Sequence, residues 1–474
     1  MRNEVLKNYF FLLLSQLSIL GMNILMSLIF PKLLTIEDFG YWQLFLFYSS
    51  YVGFFHFGIN DGIYLRYGGK NLETINKDIL NSQVLLIFFT QIFFLIIGIY
   101  FFTTIRKIDK FFVSISVLLL MVISNLMGFY NSIFQATNKL KFFSNSTIII
   151  SLSYLCFIVF LFFTNNLYLN NIIVAYVCSN FLSLLYLIYI YQKEISNKFV
   201  FSFSKKYLLE YKKNLYVGFL LMISTICSML IIGVGRFYIE KKWGIKVFSI
   251  VSLAFTFTTF VLFFIRQIGI VIFPILKRTS SDLRKKYFLL STNLINMMLL
   301  SSFLTIPLIN YFIINFIPKY EDSLKYVVLL FPTIIYEGKM QIILNTYMKV
   351  LRKEKVLMIV NIISLIVSII LCTIFSWFNN LDMIVISITF SVILRGIILE
   401  YYLNKKLETS NFSNLFFVCI LSISIIILKN IFELNVVLII YSILYILYLV
   451  IYRRVFFEIK QEFKFLNKSN AGIN

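Results

Sequence analysis

Apolar residues run through this 474-residue chain in long blocks separated by short polar segments. A helix needs about 20 apolar residues to cross the hydrocarbon core of a bilayer. On that criterion the pattern predicts about fourteen membrane helices. They fall at 8–30, 39–60, 79–103, 111–135, 142–163, 168–191, 214–236, 246–274, 287–314, 322–346, 356–378, 382–403, 412–429 and 434–452. The connections are short, and the longest, 192–213, is basic. None is long enough to house a catalytic domain. The expected fold class is therefore an all-α integral membrane protein.

Lys and Arg test this count, because a missed or extra helix would scramble their alternation. With the N-terminus taken as cytoplasmic, the inner segments hold about three times as many basic residues as the outer loops, which places both termini inside. Trp42, Trp243 and Trp377 then fall at or near the outer boundary, as an aromatic belt requires. Composition adds little that the pattern has not said: 60% of residues are hydrophobic and 14% charged. The formal charge of +22 lies in short segments between apolar runs, which reads as topology and not as a nucleic-acid surface. Cys156, Cys178, Cys227, Cys372 and Cys419 each fall in a different apolar run with no CxxC pair, so neither a metal site nor a disulfide framework is indicated. No cofactor is implied. The first apolar run is too long for a signal peptide and is expected to remain as the first helix.

A hint of duplication runs through the chain. "KNYFFLLLSQ" from Lys7 and "KNLYVGFLLM" from Lys213 each open an apolar run, followed by "IEDFGYW" from Ile36 and "IKVFSIV" from Ile245. This divides the chain into an N-terminal six-helix lobe (1–191), a cytoplasmic linker (192–213), a C-terminal six-helix lobe (214–403), and two further helices with a basic tail (404–474). Paired repeats of this kind are a common way to build a central transport site.

Several stretches carry a family likeness: "FPKLLTIEDFGYWQLF" and "FGINDGIYLRYGG" around the second helix, "VGRFYIEKKWGIKVFSIVSLAF" and "RQIGIVIFPILKR" around the eighth, and "LNTYMKVLRKEKVLMIVNIISLIVSIIL" across the tenth and eleventh. In these the chain resembles the polysaccharide-unit flippases of the MATE-like superfamily. The resemblance implies two six-helix lobes that face each other across a cavity and rock between inward-facing and outward-facing states. It also implies a cargo of undecaprenyl-diphosphate-linked oligosaccharide whose polyprenyl tail stays in lipid, and partners among the polymerase and glycosyltransferases of the same pathway. Family members often carry Asp before the Arg in the turn after the seventh helix. Here Gly235 precedes Arg236, which puts Asp-dependent ion coupling at that turn in doubt.

Within this frame the candidate cavity residues are His56, Asp61, Arg66, Arg236, Arg266, Glu337, Lys339 and Arg395. Gly58-Ile-Asn-Asp-Gly62 reads either as the glycine-rich stop of the second helix or as a GxxxG surface for helix packing. Asp61 and Arg66 read as a solvated helix end, with Arg66 alternatively a bidentate partner for a diphosphate. His56 sits inside the second helix, either satisfied there or in contact with sugar. Arg266 and Arg395 lie about two turns inside membrane helices and require a wet cavity, a partner, or snorkelling to the inner face. Arg236 has Glu240 four residues on, the spacing of an outer-surface ion pair. Glu337 and Lys339 lie near Pro332, whose missing N–H can kink that helix. Glu37 and Asp38 could suggest an acidic catalytic pair, but Thr35-Ile-Glu-Asp38 is also a helix N-cap. The expected function is outward movement of a lipid-linked oligosaccharide across the bacterial plasma membrane for capsule, O-antigen or another envelope polymer, and not catalysis. A small-molecule or drug exporter is the nearest rival, and a membrane glycosyltransferase or polymerase the rival of another class.

Overall fold

The computed structural model describes residues 2–195, 205–278, 281–409 and 411–453, with the side chains at 2–10, 12–13, 264, 266–283 and 430 outside the described set. The described residues contain helices and turns and no strand. The chain forms two compact units, Met1–Ile226 and Cys227–Asn474.

The first unit opens with α1 (Arg2–Ile24), which passes through one π-helical turn into α2 (Phe30–Leu33) with Pro31 in its first turn. Thr35 then caps α3 (Ile36–Ser49), its side chain accepting the Asp38 amide at 3.0 Å, so Glu37 and Asp38 belong to a helix start. A 3-10 segment, Val52–His56, leads to α4 (Ile59–Tyr67). Four long helices follow: α5 (Lys77–Phe102), α6 (Ile108–Ala136), α7 (Leu140–Phe163) and α8 (Leu169–Glu194). The unit ends in the early part of α9 (Lys205–Arg278). Its core gathers Ile59 and Ile63 of α4, Leu80 and Ile87 of α5, Phe129 and Ile133 of α6, and Leu187 and Tyr191 of α8.

The second unit holds the rest of α9, then α10 (Ser281–Ser301), α11 (Ile306–Phe316), α12 (Ser323–Lys339), α13 (Asn345–Val350), α14 (Glu354–Trp377), α15 (Leu381–Lys406), α16 (Phe412–Ile431) and α17 (Leu434–Ile451). The span Ser323–Val350 is its post, with 89% of its most apolar window buried. It continues through Pro332 as α-helix and loosens into a π-helical turn only at Met340–Leu344. Val418 and Ile425 of α16 and Tyr441 of α17 share one core with Phe303 and Phe331, so the last two helices are integral to this unit.

Helix α14 carries small and polar residues on its buried side and large apolar ones outward. On α14, Asn361, Ser364, Ser368 and Cys372 form the buried stripe, while Ile359, Ile363, Ile366 and Ile370 are exposed. Such a face suits hydrocarbon, and the small buried residues let neighbouring helices approach. Among the described residues, twelve helices are long and apolar enough to cross a membrane. The difference from the expected count has two physical sources. The spans expected at 214–236 and 246–274 run together as α9, broken only at Gly244, where φ is 79°. The span expected at 39–60 is not continuous: it is α3, the 3-10 segment and the start of α4.

Trp42 corrects the expected aromatic belt. It is fully buried, with its ring stacked on Phe45 and Tyr154 and meeting Phe30 and Tyr176 edge-on. Trp377, at the end of α14, is 89% exposed and does occupy a surface position.

Candidate functional site

The break between α3 and α4 is built from residues that are apolar in sequence but left-handed in conformation. Phe57 has φ 51° and Gly58 has φ 85°. A helix interrupted inside an apolar unit leaves carbonyls without partners, and side chains must supply them. Asn125 of α6 donates to the Val52 carbonyl at 3.0 Å and to Gln91 Oε1 at 2.7 Å; Gln91 in turn donates to the Phe55 carbonyl at 2.8 Å. His56 ends the 3-10 segment, not the middle of a helix as expected, and its Nδ1 accepts the Gly58 amide at 2.9 Å. Asn60 is buried and donates to the Asn125 carbonyl at 3.3 Å.

The glycines settle the two readings of their spacing in an unexpected way. Gly58 starts α4 instead of ending a helix, and both glycines are also packing positions. A Cβ on Gly58 would meet the backbone of Gly218 at 2.7 Å, and one on Gly62 would overlap the Asn214 carbonyl. A Cβ on Gly218 would overlap the Gly58 carbonyl. Thus α4 and the early part of α9 cross backbone to backbone, which only glycine permits.

Arg66 lies on the same seam. Its Nη1 donates to Asn214 Oδ1 and its Nη2 to Glu210 Oε2 at 2.7 Å. Lys213 Nζ donates to the other oxygen of Glu210 at 2.7 Å. Asn214 Nδ2 donates on to Gln83 Oε1 at 3.0 Å. Asp61 is half-buried in the first turn of α4, where its charge complements the helix N-terminus.

In the second unit, α12 and α15 exchange charges. Arg395 is fully buried and reaches Glu337 and Ser228 instead of extending to a helix end. Lys339 donates to Glu400 Oε2 at 2.7 Å, with side-chain exposures of 1% and 0%. Arg236 donates to Ser252 Oγ at 3.1 Å, and its guanidinium lies 5.3 Å from the ring centres of both Phe248 and Phe255. Arg266 falls outside the described side chains.

Structure therefore groups the sequence candidates by unit: His56, Asp61 and Arg66 around α4, and Glu337, Lys339 and Arg395 between α12 and α15. Sequence reasoning missed Gln91, Asn125, Glu210, Asn214 and Glu400. Glu400 carried a readable signal, an acid five residues after Arg395 inside an expected membrane helix. Among the described residues no group of three or more His, Cys, Asp or Glu is arranged to hold a metal ion.

The described residues, all helix and turn, with apolar outer faces, a broken helix and buried charge pairs, are built for a membrane. Residues 5–280 match the family model described as polysaccharide biosynthesis protein, and the chain belongs to that family. No curated protein matches it. Among solved structures it is similar to the lipid II flippase MurJ in an inward closed conformation, with a TM-score of 0.67 at 15% identity over 96% of this chain and 99% of that one. It is also similar to an inward-facing multidrug resistance MATE family transporter of the MOP superfamily, with a TM-score of 0.62 at 12% identity over 83% and 94%. An outward-facing MATE family transporter gives a TM-score of 0.55 at 13% identity over 83% and 93%. The transporter fold expected from the sequence is the fold found.

Proposed function

We propose that this chain is a flippase that moves an undecaprenyl-diphosphate-linked oligosaccharide outward across the bacterial plasma membrane, for capsule, O-antigen or another envelope polymer, with both termini cytoplasmic. Family membership supplies the polysaccharide context. The observation that carries the choice over a cation exporter is the state of the carboxylates between α12 and α15: Glu337 and Glu400 each already hold a cation. An exporter of cationic drugs needs membrane carboxylates free to meet its cargo. The diphosphate would engage basic residues such as Arg66, with polar side chains and aromatic rings serving the sugars. Polymerase and glycosyltransferases of the same pathway are the expected partners.

Deletion of the gene tests this. Radiolabelled sugar should accumulate in the lipid fraction while surface polymer falls. Unchanged polymer with raised drug sensitivity would favour the exporter, and sugar transfer by the purified protein would favour an enzyme.

A further inference from the structure

Glu210 is shared between two cations. Arg66 Nη2 holds one of its oxygens and Lys213 Nζ the other, each at 2.7 Å. The cluster is reachable: the side chains of Arg66, Glu210 and Lys213 are 26%, 20% and 62% exposed. Arg66 also fixes the polarity of the groups behind it. A guanidinium only donates, so Asn214 must turn its oxygen to Arg66 and its NH2 to Gln83 Oε1. Gln83 Nε2 is thereby left as a donor with no hydrogen-bond partner, on a side chain that is fully buried. The seam thus gathers an arginine and a lysine around one carboxylate, and behind Arg66, through Asn214, lies a buried amide with a spare donor.

We propose that this cluster is a diphosphate-binding site, and that Glu210 is its built-in competitor. A carboxylate bridging two cations occupies the place that a phosphate oxygen pair would take, and Arg presents the planar fork that either anion fits. A monoanion gains little by displacing Glu210, because it only exchanges one negative charge for another. A diphosphate carries more charge and more acceptor oxygens, so it displaces Glu210. Glu210 therefore sets a charge threshold, which selects diphosphate over the singly charged anions of the cytoplasm. That the diphosphate belongs to a lipid rests on the flippase reading; the anion site itself does not.

Calorimetric titration of the purified protein in detergent with inorganic pyrophosphate tests the site. Glu210→Gln, which keeps the shape and removes the charge, should tighten pyrophosphate binding by about tenfold and create measurable binding of orthophosphate. Arg66→Lys and Lys213→Ala should each weaken pyrophosphate binding, by about tenfold or more for the arginine. Unchanged or weaker binding by Glu210→Gln, at an unchanged melting temperature, overturns the proposal, as does absence of pyrophosphate binding in both wild type and Glu210→Gln. Farnesyl diphosphate in mixed micelles should compete with pyrophosphate if the source is a lipid. Competition by soluble phosphates alone, with polymer export unaffected by Arg66→Lys, leaves the anion site standing and defeats the flippase reading at it.

Discussion

Lys339 and Glu400 hold each other at 2.7 Å with neither side chain more than 1% exposed. Beside them Arg395 pairs with Glu337, so α12 and α15 each give one acid and one base to the same seam. Both pairs are neutral overall, which is how four charges are tolerated in a membrane protein interior. The exchange also sets register. Sliding one helix by a turn moves its side chains by about 5.4 Å and would break both pairs at once.

Removing one partner should be far worse than removing both. Lys339→Met or Glu400→Leu alone should lower stability by about 3–5 kcal/mol, because each leaves a charge buried without its partner. The double variant Lys339→Met/Glu400→Leu should recover most of that loss. A double-mutant cycle of melting temperatures in detergent reads this out, and additive single effects would sink the locking role.

The α4–α9 crossing gives a sharper steric expectation. Gly62→Ala or Gly218→Ala drives a methyl into facing backbone and should destabilise by about 1–3 kcal/mol, in the range of overpacked cores. A methyl on Gly53 would have nothing within 4 Å, so Gly53→Ala should be neutral or slightly stabilising. Equal tolerance at all three positions would mean the helices do not meet there.

Membrane spans were legible because hydrocarbon demands long apolar runs, and the periodic polar breaks count them. The break after α3 was not legible. "VGFFH" is as apolar as the helix before it, and the left-handed turn begins at Phe57, a residue type that announces no such conformation. Gly58 carried the signal, but a glycine that stops one helix and a glycine that starts the next look alike in sequence. The candidate charges were legible as anomalies in lipid; their partners were not. Arg395 finds Glu337 across 58 residues, and Arg66 finds Glu210 across 144, separations that only tertiary packing closes. Glu210 lies in the basic segment 192–213, where nothing in the sequence marks its partner.

Packing leaves little room at Gly235, where the family resemblance implies an acid. A Cβ there would overlap Ile388 Cδ1 and lie 3.5 Å from Cys372 Sγ. Gly235→Asp should therefore destabilise by about 1–3 kcal/mol. Gly235→Ala combined with Ile388→Ala should be better tolerated than Gly235→Ala alone. Melting temperatures of the three variants decide it, and a stabilising Gly235→Asp would show that the space is larger than the packing indicates.

Topology can be tested at exposed turns on opposite sides of the expected membrane. Asn166 follows α7, Phe378 follows α14, and both are exposed; Asn71 precedes α5 and is exposed as well. The basic bias places the first two outside and Asn71 inside. In a variant lacking all five cysteines, single cysteines at Asn166 and Phe378 should react with an impermeant thiol reagent on intact cells, while one at Asn71 should react only after permeabilisation. The signs are linked, since an odd number of crossings separates Asn71 from each of the others. Labelling of Asn71 alone inverts the whole protein. Labelling of Asn166 together with Asn71 requires an extra or missing crossing between them, and would mean that one of α5, α6 and α7 does not span.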